Sequence, residues 1–64
     1  MTTTELKERA RATHKRLRQQ GCEASTLLGL EDLQRACDAG MDRKDIFVAV
    51  QALDMLDKTY PYLN

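Results

Sequence analysis

The residues of this chain able to do chemistry are few: one histidine, His14; two cysteines, Cys22 and Cys37; one serine, Ser25; and ten acidic side chains, eight of them after residue 20. Two ligands on one metal need a short spacing such as C-x2-C or H-x3-H, and no pair here has it. Nucleophilic catalysis needs a serine or cysteine beside a base that a third group holds in place. The one histidine stands between Thr13 and Lys15 in an arginine-rich stretch, and Ser25 has no motif around it. We expect His14 to be a solvated surface residue. Glycines 21, 29 and 40 are too scattered to form a phosphate loop and read as punctuation between elements. Asp42 and Asp45 suit a helix cap, and Asp54 and Asp57 a solvated helix face. The expectation is a protein with no enzymatic activity, no metal and no cofactor.

Three helices account for the pattern, and no segment asks to be a strand. The first is expected from Thr4 to Gln20. Thr2 and Glu5 fit a capping box, with Thr4 a competing cap, and Gly21 suits the position after the helix where φ is positive. Its apolar stripe, Leu6, Ala10, Thr13 and Leu17, has the 4-3-4 spacing of a narrow seam against another helix. Cys22 to Leu28 reads as a connector with Leu27 and Leu28 buried. A second helix is expected from Leu30 to Ala39, with Gly29 at its cap and Leu30, Leu33, Ala36 and Cys37 on one face. Gly40 ends it. Asp42 caps a third helix running to Lys58, which must stop before Tyr60-Pro61 because the residue before proline avoids the α region. Tyr60, Pro61, Tyr62 and Leu63 form an apolar tail expected to fold back on the bundle. The fold class is therefore all-α, one compact three-helix domain over 1–64.

The third helix is the anomaly. At about 100° per residue, Met55, Val48, Ala52, Leu56, Ala49, Leu53, Ile46 and Val50 fill a continuous arc of roughly 220°, where a surface helix needs about 100°. A chain this short buries only about 60% of its unfolded surface and has little mass to cover the surplus. Helix three is thus either the central strut of the domain or faces a second molecule. We assign Ile46, Val50 and Leu53 to the intrachain core and Val48, Ala52 and Met55 to a homodimer interface. Phe47 stands off this arc, near Lys44 and Gln51. It is either covered by helix one or the tail, or it is a partner-binding anchor flanked by Lys44 and Gln51, since aromatic residues dominate binding hot spots.

Net charge is zero but split. Residues 1–20 carry six cations against Glu5 and Glu8, a net +4, and residues 21–64 carry a net −4. The balance lacks the strong basic field of a nucleic-acid binder. It fits a basic first helix lying against the acidic remainder, in its own chain or a twin, or offered to phosphate or an acidic partner. There is no apolar run behind a basic start, and none approaches the ~18 residues of a membrane span. We expect a cytoplasmic protein with reduced thiols.

The segment Leu33–Ile46 holds small Ala36 four residues before Gly40, apolar Met41 just after it and Ile46 six beyond it. It resembles a helix-turn-helix DNA-binding unit and is similar to the corner of ubiquitin-associated domains. Any tight αα corner asks for the same residues: glycine turns the chain, a small residue permits close approach and two apolar residues fill the angle. The first resemblance implies a recognition helix presenting Arg43, Lys44, Phe47, Val48 and Gln51, with Arg43, Lys44 and Gln51 as DNA contacts. Phe47 and Val48 depart from what such a face requires, and Asp42, Asp45 and Asp54 would repel the phosphate backbone. The function expected first is protein–protein interaction by a small regulator, adaptor or inhibitor, as a homodimer. A helix-turn-helix regulator is the alternative.

Overall fold

The computed structural model describes residues 1–62. Three α-helices make up the fold: α1 Thr3–Gln19, α2 Ala24–Ala39 and α3 Arg43–Thr59, with no strand among the described residues. The all-α three-helix domain expected from the periodicity is what the chain forms.

The ends of α1 follow from local chemistry. The Thr2 hydroxyl accepts from the Glu5 N–H at 3.2 Å, and the Glu5 carboxylate accepts from the Thr2 N–H at 3.1 Å. Both bonds satisfy donors that an α-helix leaves orphaned at its start. At the other end Gly21 takes φ 75°. The Gly21 N–H donates to the Arg18 carbonyl and the Cys22 N–H to the Leu17 carbonyl, the paired bonds of a Schellman motif. Gly40 does similar work after α2, with φ 99° and its N–H bonded to the Ala36 and Cys37 carbonyls. The Asp42 carboxylate caps α3 by accepting from the Asp45 N–H at 2.9 Å.

The second helix starts earlier than the sequence led us to expect. It begins at Ala24 rather than Leu30, so the expected connector is mostly helix and Gly29 lies inside it. The cap residue, Glu23, makes no side-chain cap bond, which left no start signal to read. A mid-helix glycine costs only about 1 kcal/mol relative to alanine and need not end a helix. Leu27 is half-buried, but Leu28, expected inside, is exposed because the helical turn carries it to the outer face.

Polar registers show how the helices lie. Lys7 meets Asp38 at 2.6 Å and His14 approaches Glu31 at 3.9 Å, so α2 runs antiparallel to α1. Arg9 meets Asp54 at 2.7 Å, and Arg16 meets Asp57 at 2.6 Å and the Tyr60 carbonyl at 2.5 Å, so α3 runs parallel to α1. Lys7, Arg9 and Arg16 of the basic first helix are therefore partnered by acids of the rest of the chain. His14 is not simply solvated; its side chain is tucked beside α2.

Leu6, Leu17, Leu30, Cys37 and Leu53 form the buried cluster, with Ala10 and Thr13 closing the α1 seam. All four expected seam residues of α1 are buried. The centre of the domain is α1 and not helix three, which corrects one expectation. α1 packs closely along α2 and also touches α3, while α2 and α3 approach each other least. The reason is steric and electrostatic. Ala10 and Thr13 are small enough to let α2 close on α1, and arginines on the other flank of α1 reach the acids of α3. Tyr60 packs on the cluster, and the Arg16 guanidinium lies over the Tyr62 ring at 4.1 Å, so the tail folds back as far as Tyr62. Leu63 lies outside the described residues.

Candidate interaction surface

The surplus arc of α3 divides between covered and uncovered residues. Leu53 is buried, and Ile46, Ala49, Val50 and Leu56 are half-buried against the cluster. Val48 and Met55 remain 56% and 64% exposed, and Ala52 between them is also exposed. The residues assigned from sequence to the core and to an interface fall on those two sides of the helix.

Beside the exposed ridge runs a groove between α2 and α3. One half is lined by Gly29, Leu30 and Leu33 from α2 and by Ala52, Met55 and Leu56 from α3, with a volume near 480 Å³. The other half continues past Ala36 and Met41 to Asp45, Val48 and Ala49. Ala49 and Ala52 belong to both halves, so the groove is one channel with Ala52 near its middle. Its lining is apolar apart from Thr26 and, at one end, Asp45. Gly29 faces this space, and a Cβ placed there would meet nothing within 4 Å. Neither Gly29 nor α2 figured in the surface expected from the sequence. The signal was present in the spacing Thr26, Gly29, Leu30, Leu33, which continues the helical period of α2 backward through the glycine.

Phe47 is 64% exposed, so among the described residues neither helix one nor the tail as far as Tyr62 covers it. It borders a shallow hollow with Met1, Arg43, Ile46 and Val50, on the other side of α3 from the groove. Lys44 and Gln51 are exposed near it, and so is Arg43. Three large apolar side chains of one helix thus stand in water, two on the ridge and one apart.

Two side chains packed between helices have shifted titration. Hydrogen bonding to Asp54, joined by a bond to Asp57, raises the Arg9 guanidinium above its ordinary value against the opposing effect of burial. Burial, with help from Asp38, pushes the Cys37 thiol up, which makes it a poorer nucleophile at neutral pH. Cys22 and Cys37 are not bridged. Among the described residues no three His, Cys, Asp or Glu side chains gather as a metal site would require, and no helix is long and apolar enough to cross a membrane. On the outer face of α1, Arg11, Lys15 and Arg18 are exposed and form no ion pair among the described residues. Comparison of the chain with protein-family models, with curated proteins and with solved structures gives no match.

Proposed function

We propose that this chain acts by stoichiometric protein–protein interaction, as a small regulator, adaptor or inhibitor that presents the α2–α3 face to a helix. The observation that carries this reading is the uncovered channel between α2 and α3 with Val48 and Met55 standing beside it. A contiguous apolar surface of this kind on a small domain marks an interaction site more often than it marks idle surface. A helix laid into a groove between two helices is a recurrent recognition mode that needs no charged ligand. Phe47, with Lys44 and Gln51, supplies a second anchoring point at the side of the same helix.

The DNA-binding alternative has one observation in its favour: Arg43, Lys44 and Gln51 are all exposed on α3. Against it, helices α2 and α3 are splayed around an apolar channel, and Asp42, Asp45 and Asp54 border the would-be reading face. The discriminating experiment is light scattering after size-exclusion chromatography, with and without random duplex DNA. Any binding to duplex should disappear between low and physiological salt, as release of condensed counterions requires. Tight binding of a defined duplex at physiological salt, lost on Arg43→Ala or Gln51→Ala, would falsify the interaction reading in favour of the alternative.

A further inference from the structure

We infer that the α2–α3 channel is filled by a second copy of this chain, the α3 ridge of each copy seated in the groove of the other about a twofold axis near Ala52. The inference rests on the interaction reading and names its partner.

Surface area is the first argument. The chain exposes 4724 Å². A monomer of 7.3 kDa is expected to expose roughly 4,200 Å², so about 500 Å² is in excess. Two copies that each cover this excess would bury about 1,000 Å², the level at which a specific interface becomes credible. The molecule is also elongated, 33 × 18 × 16 Å, and so offers a long side rather than a point of contact.

Shape supplies the second argument. A twofold interface uses the same patch on both partners, so the patch must carry its own complement. Here the projecting Val48 and Met55 lie directly beside a channel floored by Gly29, Ala36, Ala49 and Ala52, where a Cβ at Gly29 meets open space. Knob and hole stand side by side on one surface. Ala52, common to both halves of the channel, is small enough to let two helices cross closely.

A twofold axis that crosses α3 near Ala52 sets the two α3 helices antiparallel, so Met55 of one copy lies at the level of small Ala49 of the other and Val48 at the level of Leu56, both of which line the channel.

The test combines mass and a chemical reporter. Wild-type protein should have twice the chain mass by light scattering at high micromolar concentration. Ala52→Glu should halve it while the helical circular dichroism is retained, because position 52 is exposed within one chain. In a chain carrying Cys22→Ser and Cys37→Ala, Ala52→Cys should form an intermolecular disulfide under mild oxidation, and Lys15→Cys on the far face should not. A wild-type monomer at high micromolar concentration overturns the inference and leaves the channel to a helix of another protein. A dimer that Ala52→Glu leaves intact, or that bridges through position 15 in preference to 52, overturns the proposed geometry. Failure of the interaction reading itself has a different signature, the salt-resistant binding of a defined duplex described above.

Discussion

Helices α1 and α3 are both 17 residues long, yet they are used in opposite ways. α1 buries four residues on a narrow seam and carries half of its six cations, Lys7, Arg9 and Arg16, into contact with its neighbours. α3 has twice the apolar arc a surface helix needs and fully buries only Leu53. The difference teaches that the amount of apolar surface on a helix does not decide whether it becomes the centre of a small fold. Placement does. A narrow stripe with small residues in its middle admits neighbours on both flanks, and the flanks of α1 are lined with side chains long enough to hold them. A broad stripe can be satisfied only along part of its width, and on α3 the remainder, with Val48 and Met55, stays exposed.

The sharpest way to break this contrast is to truncate one side chain on each helix. Leu17 is wholly buried, and Leu17→Ala should cost about 2–5 kcal/mol, enough to unfold a domain this small. Val48→Ala should change the stability of the single chain by no more than about 0.5 kcal/mol, as surface changes do. Phe47→Ala belongs with Val48, since its ring is mostly in water. Denaturant melts of the three variants, under conditions where the chain is monomeric, measure the contrast directly. A large loss of stability in the monomer on Phe47→Ala would show that the ring is covered after all.

Polar fastening is the next effect. Arg16 bonds to Asp57 and to the Tyr60 carbonyl and stacks on Tyr62, so one side chain ties α1 to the end of α3 and to the tail. Its side chain is mostly buried and that of Asp57 is partly so. Arg16→Ala should therefore cost about 2 kcal/mol, less than a fully buried pair and more than a surface one. The chain has no tryptophan, and its only tyrosines are Tyr60 and Tyr62. Tyrosine fluorescence consequently reports on the tail alone. Its emission should change in this variant before the helical signal is lost on heating.

How far these features could be read from residues alone differs along the chain. The α1 seam was readable because spacing, cap and closing glycine agree, and each is a local property. The split of α3 was readable from its wheel, because the surplus exceeds what two helices can cover. The start of α2 was not: Glu23 offers no side-chain cap bond, and Gly29 imitates a boundary while sitting inside a helix. The groove is harder to read, since the start of its α2 wall, Thr26 and Gly29, lies before the point where the sequence signals a helix. The role of α1 as hub escaped for another reason. It depends on which arginines reach which aspartates across the fold, and nothing local in the sequence encodes that.

Glycine positions test the same distinction with effects of opposite sign. Gly40 occupies φ 99° and ψ 133°, a region that residues with a side chain avoid, while the space around it is empty. Gly40→Ala should thus destabilise through backbone strain alone, by about 1–3 kcal/mol. Gly29 has ordinary helical backbone and equally empty surroundings. Gly29→Ala should stabilise the single chain by about 1 kcal/mol through helix propensity. A bulkier change, Gly29→Leu, keeps that helical gain but blocks the channel. It should leave the melting of the monomer at least as high as in the wild type while lowering any association through α3. Equal effects at the two glycines would mean that α2 is broken at Gly29 and begins where the sequence first suggested.

The smallest effect separates the two N-termini. Both α1 and α3 have a side chain on the cap, but only at α1 does the residue three positions on reach back to close the box. The Thr2 backbone N–H, and then its hydroxyl, hold the Glu5 carboxyl below its ordinary value of 4.5. The ionised form is therefore favoured more in the folded chain than in the unfolded one. The resulting stabilisation is fully present above the ordinary value and is lost as pH falls through the lower, folded value. Glu5→Gln keeps a side-chain oxygen for the Thr2 N–H but removes the titration. Below the ordinary carboxyl value, the wild-type chain should lose stability with falling pH more steeply than the Glu5→Gln chain, and in neutral solution the wild type should be the more stable of the two. Parallel acid profiles for the two proteins would show that the box does not hold in solution, and that α1 owes its start to the seam behind it rather than to its cap.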